Sequence, residues 1–135
     1  MQSIFNTQCV SMSIQRQPKE VYDFMYNLEN FPSWATAFCH SISYRDNEWI
    51  AETSEGPVKV KFVDRNDWGI LDHDVGQGEN QVQVPVRVIP NGSGSEVIFT
   101  VFQAPNMSRE AFKEDIALIE SDLKRLKRVL EETSK

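Results

Sequence analysis

The sequence predicts an α+β fold in a single domain: one strand, two short helices, a six-stranded antiparallel meander and a long C-terminal helix. Apolar residues alternate with a period of two from Cys39 to Gln103, turn clusters break that run at regular intervals, and the last segment changes to a helical period. A chain of 135 residues suits one domain, since folding at that size removes roughly two-thirds of the unfolded surface from water. No linker, repeat or low-complexity stretch divides it, so residues 1–135 are expected to share one core.

Ser3 to Ile14 has strand composition, and Pro18 at a first helical position opens PKEVYDFMYN, with Val21, Phe24, Met25 and Leu28 at helical spacing. A second short helical piece follows in NFPSWATAF. Turns are expected at Asp46-Asn47, Glu55-Gly56-Pro57, Arg65-Asn66, Gly76-Gln77-Gly78 and Asn91-Gly92-Ser93-Gly94, giving about seven strands with the first. In the final helix Phe112, Ile116, Ile119, Leu123, Leu126 and Leu130 recur every three or four residues. Ser108 is its expected N-cap, and Met107 and Phe112 are spaced as a hydrophobic staple. Acids crowd its start and Lys124, Arg125, Lys127 and Arg128 its end, which the helix dipole explains without a functional basic patch.

The formal charge of -6 counts against nucleic acid as a partner, because phosphate recognition needs a basic surface. No charged-then-apolar leader and no apolar run near the ~18 residues of a bilayer span is present, so a cytoplasmic protein without stable membrane insertion is expected. Cys9 and Cys39 lack metal or disulfide-framework spacing and read as reduced thiols.

WGILDHDV, Trp68 to Val75, sets His73 between two aspartates. A strand sends His73 to one face and Asp72 and Asp74 to the other, so the three do not form one metal site. With no Cys/His cluster at ligand spacing, neither zinc nor iron, nor any other cofactor, is expected. Four-residue hairpin gaps pair Tyr44 with Trp49, Thr53 with Val58, Val58 with His73, His73 with Val82, Val75 with Asn80, Val84 with Val101 and Val86 with Phe99. The inner face then holds Ile42, Trp49, Ala51, Val60, Phe62, Leu71, Val84, Val86, Val97, Phe99 and Val101, together with a more polar row of His40, Thr53, Val58, His73, Val82 and Gln103. Burying unpaired polar groups costs about 1–3 kcal/mol each, so such a row must be internally bonded, wet or in contact with a ligand. Outside, Lys59, Asp72 and Glu52 form an expected charge ladder. Trp68, Ile70, Pro85, Ile98 and Phe102 also point outward, as a patch for a two-fold dimer unless the first strand covers them or a bulge near Pro85 turns some inward.

The order of elements, with QPKEVYDFMYNLENFPSW and SREAFKEDIALIESDLKRLKRVLEE, resembles the START-like or SRPBCC superfamily, the helix-grip fold of lipid-transfer and polyketide cyclase/dehydrase-type proteins. The resemblance spans nearly the whole chain and brings no catalytic signature. It implies a curved sheet wrapped around the C-terminal helix and a hydrophobic small molecule, such as a lipid, polyketide, isoprenoid or aromatic metabolite, bound between them. The ligand-binding residues expected from the inward face and the helix are His73, His40, Thr53, Gln103, Trp49, Tyr44, Phe99, Phe112 and Ile116, with Trp34 an aromatic that serves equally as core or pocket wall. The alternative is a cyclase or dehydratase in which His73 is the general acid/base and Gln103 or Thr53 orients a carbonyl. A third reading is an interaction module whose cavity is filled by its own side chains.

Overall fold

A computed structural model gives the structure of the protein and describes residues 4–76, 78 and 81–133. Its elements are β1 (Asn6–Ile14), α1 (Pro18–Tyr26), a 3-10 turn (Leu28–Asn30), α2 (Phe31–Trp34), β2 (Ser41–Arg45), β3 (Glu48–Thr53), β4 (Gly56–Phe62), β5 (His73–Val75), β6 (Val82–Val84), β7 (Val86–Asn91), β8 (Gly94–Gln103) and α3 (Arg109–Thr133). Ser3, Gln77 and Asn80 of the expected strand, turn and pairing lie outside the described residues.

Helix α1 begins with Pro18 in its first turn, where the missing N–H costs nothing. Helix α3 begins as its sequence requires: Ser108 Oγ accepts from the Ala111 amide at 3.0 Å. At the far end Arg16 donates to the Glu131 carbonyl at 2.6 Å, satisfying a last-turn acceptor from outside the helix. The helix runs past Lys124, Arg125, Lys127 and Arg128 to Thr133 and has no basic residue in its last turn, so the dipole does not account for them; Lys127 instead donates to the Ser13 carbonyl at 2.9 Å and to Glu131 at 2.7 Å, which holds α3 on β1.

The strands form two antiparallel sheets rather than one, in the orders β1-β8-β7 and β2-β3-β4-β5-β6. Strands β6 and β7 are the two halves of one expected strand, separated by Pro85, which has no N–H to give to a ladder. A seam joins the sheets beside that break, with Leu71 N–H donating to Val86 O and Val88 N–H to Gly69 O, each at 2.9 Å. Asp72 completes it, since its Oδ1 accepts the Val86 amide at 2.9 Å and also bonds the Arg87 guanidinium.

The inward face largely holds as expected: every apolar residue assigned to it except Val82 is in the core or packed on it, while Val82 is exposed. The neighbours along it differ. Tyr44 faces Trp49 and Val86 faces Phe99 as predicted, but Thr53 faces Gly56, His73 faces Phe62 and Val84, and Val75 faces Val82. The first slip comes from a tight turn at Ser54-Glu55. The second comes from Asn66, whose side chain bonds the Asp64 and Ile70 carbonyls and the Trp68 and Ile70 amides, building a broad loop where a short hairpin was expected. The polar row is therefore not contiguous. The charge ladder is also replaced: Lys59 pairs with Glu48 at 3.0 Å, while Asp72 pairs with Arg87.

Of the expected outer patch, Trp68 is exposed, while Ile70, Pro85, Ile98 and Phe102 are half-buried. Phe5 stands edge-on to Phe102 with centroids 6.3 Å apart, so the segment leading into β1 covers part of that group.

Candidate functional site: a cavity between sheet and helix

A cavity of about 380 Å³ opens between the inner sheet face, the α2 region and the first half of α3. Its sheet wall includes Val58, Phe62, His73, Val84, Phe99 and Val101; α2 and the residues after it supply Phe31, Trp34 and Phe38; α3 supplies Asp115, Leu118, Ile119 and Asp122. Thr53, Ser54 and Glu55 bring the β3–β4 turn to its edge. Four of these aromatic groups run in sequence along the wall. Trp34 meets Phe31 edge-on at 5.5 Å, Phe31 meets Phe62 at 6.0 Å, and Phe62 stacks on the His73 ring at 4.6 Å with 7° between planes.

Among the residues expected at a ligand site, His73, Thr53 and Phe99 line this cavity. Thr53 also has a structural task, its hydroxyl donating to Gly56 O at 2.7 Å and accepting the Glu55 amide. The other six are placed elsewhere. His40 is exposed at the start of β2, and Tyr44 and Trp49 pack on each other at 5.0 Å beside the distant hairpin turn. Gln103 is held by Asn6 and the Met107 carbonyl. Ile116 is buried in the core, and Phe112 packs against it.

His73 Nδ1 lies 3.0 Å from the Leu71 carbonyl, which assigns the proton to Nδ1 and leaves Nε2 as an acceptor without a partner among the described residues. Burial pushes the imidazole below its ordinary range, against the opposing pull of the Leu71 carbonyl and of Asp72 and Asp74. The shift favours the neutral imidazole. The unfolded chain then binds more protons than the native one as pH drops below the ordinary value of 6.5, so stability declines from there and levels off below the lowered native value. The slope due to one group reaches at most about 1.4 kcal/mol per pH unit. Denaturant midpoints of wild type and His73→Phe, measured between pH 8 and 5, are expected to diverge in that window, the variant losing less stability. Parallel curves would contradict an imidazole lowered by its surroundings in the folded state.

Sequence reasoning missed two groups. Asp115 is held above the ordinary carboxylate range by burial and then by Glu55 and Glu114. Asp122 is also raised by burial, although the Ala37 and Phe38 amides and Arg125 oppose the shift. Its Oδ1 accepts from Ala37 N at 2.9 Å and Arg125 at 3.2 Å. Both acids flank Ile119 at helical spacing, so a reading of the α3 face that included acids as well as apolar residues would have found them. Trp34 is both core and pocket wall: it is 4% exposed, it lines the cavity, and its buried indole N–H meets no acceptor among the described residues. No cluster of three or more metal-ligating side chains occurs among the described residues.

No protein-family model matches the sequence, and no curated protein matches it. Solved structures do. The chain is similar to the protein XoxI from Bacillus cereus (TM-score 0.73, 17% identity, covering 91% of this chain and 94% of that one). It is similar to a START superfamily protein from Mycobacterium smegmatis (0.72, 11%, covering 95% and 99%) and to Ara h 8.0201 (0.69, 16%, covering 93% and 97%). With the long α3 packed on β1, β8 and α2, and with this cavity beneath it, the chain has a helix-grip fold, similar to that of these solved structures.

Proposed function

We propose that the protein binds, and carries or senses, a hydrophobic small molecule in the cavity between the sheet and α3. The observation that carries this reading is the cavity itself. Its volume of about 380 Å³ falls within the roughly 300–1,000 Å³ usual for small-molecule sites, and its walls are apolar and aromatic with a few inward polar groups. The likeness to a START superfamily protein supports the same reading at the level of fold. No helix among the described residues is long and apolar enough to cross a membrane, which suits a protein that shields its ligand in water.

The test uses the uncharged dye Nile red. Its fluorescence is expected to rise and saturate with wild type, and Val84→Phe and Leu118→Trp, which place bulk in the wall and at the rim, are expected to weaken binding about tenfold or more. Undiminished binding in both correctly folded variants would remove the cavity from consideration.

A further inference from the structure

We infer that the cavity selects uncharged molecules bearing a hydroxyl or a comparable donor and acceptor, and rejects carboxylates and phosphates. The inference rests on the ligand-binding reading above and adds the polarity of the ligand to it. No lysine or arginine lines the cavity among the described residues, whereas Glu55, Asp115 and Asp122 all do. Arg125, beside Asp122, is already committed to that carboxylate and to the Trp34 carbonyl at 3.5 Å. An anionic head group would leave water for a wall with no cation and three acids. Such a charge is buried only when it is paired.

Trp34 and His73, two polar side chains of the wall, suit a different ligand. The Trp34 indole N–H is buried and needs an acceptor. The His73 Nε2 is the acceptor the ring has left to offer, because Nδ1 is bonded to Leu71. Their rings stand at the two ends of the aromatic series through Phe31 and Phe62, so an apolar or aromatic body would lie against that wall with an oxygen or N–H group at either end. A hydroxyl can answer either need, as it both donates and accepts. A carboxylate at neutral pH can satisfy Trp34 but offers no hydrogen to His73.

Titration calorimetry with matched pairs, 1-decanol against decanoate and 2-naphthol against 2-naphthoate, at pH 7.5 and below any micellar concentration, tests this directly. Within at least one pair the hydroxyl compound is expected to bind about tenfold or more tightly than its acid. Trp34→Phe should weaken the alcohol about threefold or more, and the double variant Glu55→Gln with Asp115→Asn should bring the acid closer to the alcohol. An acid that binds wild type as tightly as its alcohol overturns the selectivity while leaving the cavity reading in place. A failure of all four compounds and of Nile red to bind overturns both.

Discussion

Gly69→Ala is expected to destabilise the fold by roughly 3–5 kcal/mol, the range reserved for single changes that strike a special backbone position. Gly69 has φ +73, in the left-handed region where a side chain costs about 1–2 kcal/mol. The larger contribution is steric. A Cβ here would overlap the Val88 carbonyl oxygen, a backbone atom that no rotamer change can move aside. Relief requires parting the seam, which loses the Val88-to-Gly69 hydrogen bond and disturbs Val86 and Val88, both buried. Gly92→Ala is the control. Gly92 has φ +58 with open space around it, so it should lose only about 1 kcal/mol. Equal urea-unfolding losses for the two variants would show that the close approach contributes nothing.

Asp122→Ala is expected to cost about 3–5 kcal/mol, because it strips partners from the Ala37 amide and Arg125 at a position only 6% exposed. Asp122→Asn should cost about 1 kcal/mol or less at pH 7, since the amide keeps an acceptor for Ala37 and removes the penalty of burying a charge. The sign of the pH dependence separates these views. With its native pKa raised above 3.8, Asp122 takes up its proton in the folded state first, so its contribution increases as pH falls through the native value towards 3.8. That gain should vanish in Asp122→Asn. A large loss in the asparagine variant at pH 7 would instead identify the ion pair as the stabilising element.

The behaviour of His73 shows what a sequence of this kind discloses. Each strand register that slipped did so by an even number of residues: Thr53 moved from Val58 to Gly56, and His73 from Val58 to Phe62 on one side and from Val82 to Val84 on the other. Even slips preserve the face, so alternation alone assigned the inward residues and sent Asp74 and His73 to opposite sides. Neighbours across the sheet are decided by turn length. The loop built on the Asn66 side chain draws on the Tyr22 hydroxyl, at 2.9 Å from the Asn66 amide, and no local pattern announces a partner so far away in sequence. The same limit applies to the site. Trp34 and Phe31 reach the cavity because α2 packs on α3, a tertiary arrangement that periodicity does not encode.

Strands β5 and β6 are three residues each, the shortest ladders in the five-stranded sheet, and β6 is one of its two edges. Amide protection tracks the depth and cooperativity of pairing, so this margin should open on its own, far more often than the molecule unfolds. Val75, Val82 and Val84, all in those two strands, also wall the cavity. A molecule entering or leaving can therefore exploit fraying of a few backbone bonds, with no rigid-body closure required. Once seated against those valines it would slow hydrogen exchange at this margin first, while β1 and β8, paired over nine residues, exchange at a rate set by global unfolding.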